Sequence, residues 1–256
     1  MNRIKAFASR NMKEILREPL SYIFCLGFPI VMLVVMTFVN NSIPKESGMT
    51  IFRIDNLYGG IAVFGQTFIM LFTAISVSKD RAGSFLVRMY ASPMKPTDFI
   101  AGYIIPMTVL SVIQNVITGV VSLVISLITK TEINIGGMLI SFIVLIPSAL
   151  MFIGFGLIFG SLFSDKSAPA VSSIVISLSS FLGGIWFDSE MTGGTMLKIC
   201  KCLPFFYCTK SVRSVTVLDF GKDEFIIPFI IVTVFAVAVN IISSYSFSTK
   251  MKADLS

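Results

Sequence analysis

The chain has 256 residues, of which 55% are hydrophobic and only 13% are charged, and its mean hydropathy is +0.88. A soluble domain carries roughly 25% charged residues, so this composition excludes an ordinary soluble protein and favours an integral membrane protein covered by lipid. The net charge of +6 does not indicate nucleic-acid binding, because the basic residues cluster at the ends of apolar segments rather than among aromatic residues.

The first predicted element is a basic amphipathic helix within residues 1–19, which ends before Pro19. Its apolar residues recur at three-to-four spacing, and its cations lie on the other side; these cations are Arg3, Arg10, Lys13 and Arg17. Such a helix rests on a membrane surface, where anionic lipid attracts its cations. Simple anchoring is the alternative to a role in partner binding. The segment is too polar for a signal peptide, so we expect the first apolar segment to stay in the protein.

Six apolar segments are long enough to cross a membrane, because a spanning helix needs about 20 residues. They are residues 22–40, 57–78, 100–128, 138–163, 168–187 and 225–247. An even number of spans places both termini on one side, together with 12 of the 20 Lys and Arg residues. The positive-inside rule therefore predicts that both termini are cytoplasmic. Pro106 and Pro147 predict tilt or a kink in the third and fourth spans.

Residues 79–99 interrupt the apolar pattern with a charged loop between the second and third spans. One apolar face at helical spacing predicts a short helix over residues 80–90; its members are Ala82, Phe85, Leu86 and Met89. Arg81 and Arg88 lie away from that face. A short charged helix that projects from two spans is suited to dock on a soluble partner. The alternative is a solvated loop that carries only positive-inside charge.

The fourth span contains Gly156 and Gly160, whose spacing lets two helix backbones approach closely. This pattern predicts packing within the chain or, alternatively, a subunit interface. Only five residues then join the fourth span to the fifth, so the two spans should form an antiparallel hairpin.

Residues 188–224 alternate cations with apolar residues around Pro204, which predicts two short amphipathic helices at the outer interface or dipping partway into the membrane. Cys200, Cys202 and Cys208 lie in this segment. A zinc site needs a fourth ligand, and the sequence contains no histidine, so metal is disfavoured. A disulfide on an oxidising face and free thiols both remain open.

No catalytic constellation is visible in the sequence. There is no histidine for general base work, and the Gly221–Lys222 pair lacks the other residues of a phosphate-binding loop. Any nucleotide energy must therefore come from another chain. The scarcity of carboxylates and of polar stripes in the spans argues against an ion channel or a secondary transporter.

Three stretches, together with the basic arm, carry a family resemblance. In chain order they are SKDRAGSFLVRMYASPMKPTDFIAGYII, GLIFGSLFSDKSAPAVSSIVISLSSFLGGIWF and LPFFYCTKSVR. Their order and spacing resemble the transmembrane subunit of an ABC-2-type ABC transporter over nearly the whole chain. The resemblance implies a single all-α transmembrane domain over residues 1–256, with six transmembrane helices. It also implies an N-terminal interfacial helix, a cytoplasmic coupling helix, and outer re-entrant helices before the last span.

The same resemblance implies the partners and the contact residues. Two permease subunits, identical or related, would pair in a bacterial cytoplasmic membrane, and two ABC ATPase subunits would bind beneath them. This chain would hold no cofactor, since ATP and Mg would bind to the ATPase. The residues that would couple to the ATPase are Asp80, Arg81, Phe85, Arg88 and Met89 in the loop, and Arg10, Lys13, Glu14 and Arg17 in the arm.

The outer loop over residues 41–56 is short, so no large extracellular domain is expected. The resemblance implies an exporter, since most members of the family export their substrates. With few charges in the spans, the sequence favours an amphipathic or lipid-like substrate, such as a drug, an antimicrobial peptide or a lipid-linked molecule. The competing interpretations are a non-transporting membrane receptor or immunity protein and, less favoured, an ion channel or secondary transporter.

Overall fold

The computed structural model describes residues 2–44, 50–83, 85–90, 94–187 and 192–255. Every regular element in these ranges is helical, which confirms the all-α fold class. We number the helices α1 Asn2–Arg17, α2 Pro19–Ser42, α3 Ile54–Ala82, α4 Phe85–Tyr90, α5 Pro96–Thr129, α6 Ile135–Leu162, α7 Ser167–Leu182, α8 Gly194–Lys201, α9 Pro204–Thr216 and α10 Ile227–Leu255. One turn of π-helix lies inside α2 at Ile23–Gly27, and another precedes α10 at Lys222–Ile226.

Five of the described helices are long and apolar enough to cross a membrane: α2, α3, α5, α6 and the segment Lys222–Lys250 that contains most of α10. They agree with five of the six apolar segments predicted from the sequence. The helix at the remaining segment, α7, is apolar but has only 16 residues, which is shorter than a typical span. The chain is a multi-pass membrane protein, and the six-span topology stays a prediction.

The helices run between two ends of the bundle, which we name after residues of α3. At the Asp80 end, Arg10 of α1 contacts Asp80, and Phe99 near the start of α5 packs against Phe247 of α10 with ring centroids 6.1 Å apart. At the Asn56 end, Arg213 of α9 donates to the carbonyl oxygens of Asn56 and of Gly184, which follows α7. Both described termini therefore lie at the Asp80 end.

The central helix of the bundle is α3. In the most apolar stretch of 18 residues in α3, 83% of the residues are buried. The corresponding share is 17% in α2 and 22% in the segment Lys222–Lys250. Small residues on α3 allow this enclosure, since Gly59 lies against Val212 of α9 and Gly65 lies against Gln114 of α5. The other helices pack around α3, and their outer faces carry the exposed Val, Ile and Leu side chains that suit lipid.

The contact between α3 and α6 depends on Gly156 and Gly160. A Cβ atom on Gly156 would lie 2.4 Å from the carbonyl oxygen of Met70, and one on Gly160 would lie 2.6 Å from Cβ of Val77. The structure therefore places both glycines at a helix contact within one chain. Both α5 and α6 continue without a break through Pro106 and Pro147.

The segment before α10 contains two short helices, α8 and α9. Most of α9 is buried, because Phe205, Cys208, Val212 and Val215 pack among residues of α3 and α6. The amphipathic pattern of this segment thus reflects the packing of one face of α9 in the protein core. That α8 and α9 are re-entrant in a membrane stays a prediction.

Candidate functional site

A charged network joins α1, α3 and α5 at the Asp80 end. Both terminal nitrogens of Arg10 donate to the Asp80 carboxylate, at 2.7 and 2.8 Å, and the Tyr103 hydroxyl donates to Asp80 Oδ2 at 2.6 Å. Asp80 is only 6% exposed. A buried carboxylate needs such a paired and hydrogen-bonded arrangement, and bidentate arginine supplies the strongest form of it. We call Arg10, Asp80 and Tyr103 the Arg10 clamp.

Aromatic packing connects this clamp to α4. The Phe7 ring stacks on Phe85 with centroids 6.3 Å apart and meets Phe99 and Tyr103 edge to face at 5.5 and 5.2 Å. The guanidinium carbon of Arg10 lies 4.0 Å from the centroid of the same Phe85 ring, a cation–π contact. The short helix α4 is therefore held by α1.

The apolar face of α1 packs on protein. Phe7, Ala8 and Ile15 are buried, and Asn11 Nδ2 donates to the carbonyl oxygen of Gly102 at 3.0 Å. Gly102 is required here, because a Cβ atom at this position would lie 2.2 Å from the Phe7 ring. The amphipathic pattern predicted the helix, but α5 covers its apolar face. That α1 also lies at a membrane surface stays a prediction.

The predicted single helix over residues 80–90 is wrong in its boundary. Helix α3 continues through Asp80 and Arg81 to Ala82, and Gly83 ends it by donating its N–H to the carbonyl oxygen of Lys79 at 2.8 Å. A glycine just past the last helical residue is a common helix stop. The described projecting helix begins only at Phe85, so Asp80 and Arg81 belong to the last turn of a long helix.

Arg81, which was predicted to contact a partner, binds within the chain. Its Nη1 donates to the carbonyl oxygen of Ser161 at 2.5 Å and lies 3.3 Å from that of Gly160, at the end of α6. The last carbonyl groups of a helix lack partners in the helix and carry partial negative charge. Arg81 therefore caps α6 and joins its end to that of α3.

The remaining predicted residues are more exposed. Lys13, Arg17 and Arg88 are exposed cations, and Glu14 is an exposed carboxylate 2.8 Å from Arg10. The side chain of Met89 lies outside the described residues. The structure thus brings together Arg10, Glu14, Asp80 and Phe85 and leaves Lys13, Arg17 and Arg88 accessible to a partner.

The charges of the network influence each other. Partial desolvation and the negative charge of Asp80 raise the pKa of Glu14, and Arg10 opposes this only in part. Burial lowers the pKa of Arg10, but the hydrogen bond and charge of Asp80 outweigh it and raise the pKa overall. Arg10 therefore stays charged, and Glu14 is the weaker of its two carboxylate partners.

Sequence reasoning missed a buried polar stripe on α5. Its members recur at three-to-four spacing and are all buried: Ser111, Gln114, Asn115, Thr118, Ser122 and Ser126. Gln114 Nε2 lies 3.2 Å from Thr118 Oγ1, and across the α3–α6 contact Ser148 donates to Gln66 Oε1 at 2.7 Å. The helical spacing of these residues was the available signal. The expected lack of polar stripes is wrong, and only the scarcity of carboxylates still argues against a channel.

Three of the cysteines lie in the segment that contains α8 and α9. Cys200 and Cys208 are buried, whereas Cys202 is exposed, and all three are free thiols. Burial raises the pKa of the Cys200 and Cys208 thiols. Within the described ranges, no group of three or more His, Cys, Asp or Glu residues is placed to hold a metal ion.

Comparison with protein families matches residues 2–217 to the family described as ABC-2 type transporter. Comparison with curated proteins gives no match. The matched range contains α1 to α9 and thus the Arg10 clamp, α4 and the buried polar stripe. Membrane domains of this family are permease components that lack an ATPase site of their own and generally work with an ABC ATPase. The chain therefore belongs to the ABC-2 type transporter family.

Proposed function

We propose that the chain is the permease subunit of an ATP-driven exporter in a bacterial cytoplasmic membrane. Two permease subunits, either identical or related, enclose the transport path by this proposal. Two separate ATPase subunits bind ATP and Mg and attach at the Asp80 end, which faces the cytoplasm. The substrate is amphipathic or lipid-like, such as a drug, an antimicrobial peptide or a lipid-linked molecule.

The observation that carries this proposal is the connection of α4 to the spans. Phe85 of α4 packs on Phe7 and under Arg10, and Arg10 is tied to Asp80 of α3 and, through it, to Tyr103 of α5. A push on α4 is therefore passed to two long helices at once. A short helix that merely linked two spans would need no such attachment.

The proposed cycle is alternating access. ATP binding closes the ATPase subunits, and their movement tilts α3 and α5 through α4 and the Arg10 clamp. The ATPase can drive this change only if it binds the two permease conformations with different affinity. Lys13, Arg17 and Arg88 are the proposed contacts with the ATPase, because they are the exposed cations of the predicted set. Arg10, Asp80 and Arg81 act by positioning the helices.

The proposed substrate class follows from the surface and interior of the spans. Their interior polar groups are mainly neutral hydroxyl and amide side chains, and their outer faces are apolar. Such an interior offers hydrogen bonds and little charge, so it suits a molecule with a large apolar part better than an inorganic ion.

The test is to replace Arg88 with Glu in a complex reconstituted with an ABC ATPase subunit that copurifies with the wild-type permease. We expect a loss of about tenfold in substrate-stimulated ATPase activity, because the reversed charge repels the surface that Arg88 contacts. Lys198→Glu is the matched control, since Lys198 is an exposed cation on α8, which precedes α9 at the Asn56 end. Equal stimulation in both variants and unchanged complex formation would contradict the proposed contact. Failure of the wild-type permease to copurify with the ATPase would favour a receptor instead.

A further inference from the structure

A cavity of about 230 Å³ lies at the Asn56 end of the bundle, at the opposite end of α3 from the Arg10 clamp. Its walls come from α9, from the residues that follow α7, from the start of α3, and from the connection between α9 and α10. Among the residues that the structure describes, four charged side chains line it: Lys210, Arg213, Asp219 and Glu224.

Hydrogen bonds from α9 hold these walls in place. Arg213 Nε donates to the carbonyl oxygen of Asn56 at 3.1 Å, and Arg213 Nη1 donates to that of Gly184 at 2.9 Å. Thr209 Oγ1 donates to the carbonyl oxygen of Gly183, and Ser214 Oγ donates to that of Glu224 at 2.8 Å. The cavity is therefore built from three segments that are fixed to one helix.

The described lining residues carry two positive and two negative charges. Lys210 Nζ lies 3.1 and 3.2 Å from the two carboxylate oxygens of Glu224, and the Lys210 side chain is only 16% exposed. Arg213 adds a second positive charge, and Asp219 adds a second negative one. A ligand with a single sign of charge would meet as much repulsion as attraction here. A ligand that carries both signs a few bonds apart would be attracted at both of its ends.

The rim of the cavity is apolar and exposed. Val217 lines the cavity and is 54% exposed, while the next residue, Leu218, is 41% exposed. Leu218 has a φ of 59°, a left-handed conformation that is unusual for leucine and is found preferentially at ligand sites and turns. It brings Asp219 back to α9, where the Asp219 N–H donates to the carbonyl oxygen of Ser214 at 2.8 Å. Charged groups inside and apolar groups outside suit an amphipathic ligand.

We propose that this cavity binds the headgroup of a zwitterionic phospholipid that carries a phosphate and a primary amine, as phosphatidylethanolamine does. The phosphate takes the place next to Lys210 and Arg213, and the amine takes the place next to Glu224 and Asp219. The acyl chains lie over Val217 and Leu218. This inference deepens the lipid-like substrate class and rests on the proposed function in that respect. Its binding step needs no ATPase, so the two proposals fail in different experiments.

The first test measures lipid binding to the purified full-length permease in detergent by native mass spectrometry. Phosphatidylethanolamine, phosphatidylcholine and phosphatidylglycerol with identical acyl chains are added in turn. We expect phosphatidylethanolamine to bind about tenfold more tightly than the other two. Choline has no N–H to donate to the carboxylates, and phosphatidylglycerol has no positive charge for them. Equal binding of the three lipids would overturn the proposal.

The second test uses two variants that should change the affinity for phosphatidylglycerol in opposite directions. Lys210→Gln removes a partner of the phosphate and should weaken all three lipids about tenfold. Glu224→Gln removes a carboxylate from the amine side and should weaken phosphatidylethanolamine but strengthen phosphatidylglycerol. Lys198→Gln on α8 is the matched control, since Lys198 does not line the cavity, and it should leave all three affinities unchanged.

A third measurement guards against variants that do not fold. The soluble headgroup phosphoethanolamine is added to the wild-type permease with bound phosphatidylethanolamine, and the lipid that remains bound is measured. Displacement by phosphoethanolamine, and by neither ethanolamine nor inorganic phosphate at the same concentration, supports a site that binds the phosphate and the amine of the headgroup together. Displacement by inorganic phosphate alone, or by none of the three, would overturn the proposal.

Discussion

Asp80 is a buried carboxylate at the end of a long apolar helix, and its surroundings explain why it is tolerated there. Arg10 binds it with two hydrogen bonds and Tyr103 with a third. Removing one partner of such a pair leaves the other charge without compensation, which costs more than the pair itself contributes. Because the Arg10 side chain is 34% exposed, water offsets part of that cost.

We predict that Asp80→Asn destabilises the permease by about 1 to 3 kcal/mol, which is below the roughly 3 to 5 kcal/mol of a fully buried pair because Arg10 is partly exposed. The measurement is the thermal unfolding temperature of the purified protein in detergent. Asparagine keeps the shape and the acceptor for Tyr103 but loses the charge that holds Arg10. An unchanged unfolding temperature would show that the Arg10 clamp does not hold α1 on the bundle.

Glu14→Gln is the matched control for this prediction, because Glu14 also contacts Arg10 but is 55% exposed. Its raised pKa means that the folded state binds its proton more readily than the unfolded state does. The stability of the wild type therefore falls as pH rises above 4.5, the ordinary value, through the raised pKa. Glu14→Gln removes this decline, so at neutral pH it should not lower the unfolding temperature.

The family resemblance selected Arg10, Asp80 and Arg81 as contacts with a partner chain, and the structure shows that all three also bind within this chain. Arg10 and Asp80 are 70 residues apart, and helical periodicity reports only neighbours within a few turns. Hence their mutual pairing could not be read from spacing. The helical spacing did predict that Lys13 and Arg88 lie on exposed helix faces, because the residues that define an amphipathic face are close together in the sequence.

At the scale of elements, the contact of α3 with α6 sets how closely the two central helices approach. Gly156 and Gly160 leave room for the backbone and side chains of α3, and the nearest atoms at both positions belong to the same chain. Dispersion and close packing stabilise helix pairs in a membrane, where water gives no hydrophobic drive between them. A single methyl group at this contact is therefore enough to separate the helices.

We predict that Gly156→Ala destabilises the permease by about 1 to 3 kcal/mol, the usual cost of overpacking. Its new Cβ would lie 2.4 Å from the Met70 carbonyl oxygen and 2.6 Å from Cβ of Thr73, so α3 or α6 must shift. The measurement is again the unfolding temperature in detergent. Gly27→Ala on α2 is the control, because its nearest atom lies 3.9 Å away, and it should leave stability unchanged or slightly raised. Equal behaviour of the two variants would contradict the close contact.

The extent of each helix was predictable where apolar length decided it, as in α2, α5 and α6. It was not predictable where a single residue decided it. Gly83 ends α3 inside a stretch whose apolar residues keep their helical spacing, so the pattern continued where the helix did not. The polar stripe from Ser111 to Ser126 was missed for the opposite reason, since hydroxyl side chains in an apolar helix barely change its mean hydropathy.

At the scale of the whole molecule, the two ends of the bundle differ in the residues that they expose. The Asp80 end carries the amphipathic α1 and the exposed Arg88, and the Asn56 end carries the charged cavity and α9, with Cys202 between α8 and α9. The positive-inside rule predicts that the Asp80 end is cytoplasmic. Orientation depends on the membrane and its insertion machinery, which act on the charges that flank each span.

We predict that Cys202 reacts with a membrane-impermeant maleimide added to intact cells. Cys202 is exposed, whereas Cys200 and Cys208 are buried and have raised pKa values that keep them in the less reactive thiol form. The measurement is the mass shift of the labelled protein, and Cys202→Ser should abolish it. Arg88→Cys in the Cys202→Ser background should react only after the cells are permeabilised. The reverse pattern would invert the proposed topology.

The buried helix α3 physically connects the Arg10 clamp with the cavity at the Asn56 end. Asp80 and Asn56 lie on this single helix, about 36 Å apart along its axis, and Asn56 supplies the carbonyl group that positions Arg213 in the cavity at the Asn56 end. Any rotation or shift of α3 that strains the clamp at one end must therefore also disturb the cavity at the other. Thermodynamic linkage makes this effect reciprocal: if the ATPase alters the affinity for a lipid, that lipid alters the affinity for the ATPase by the same factor.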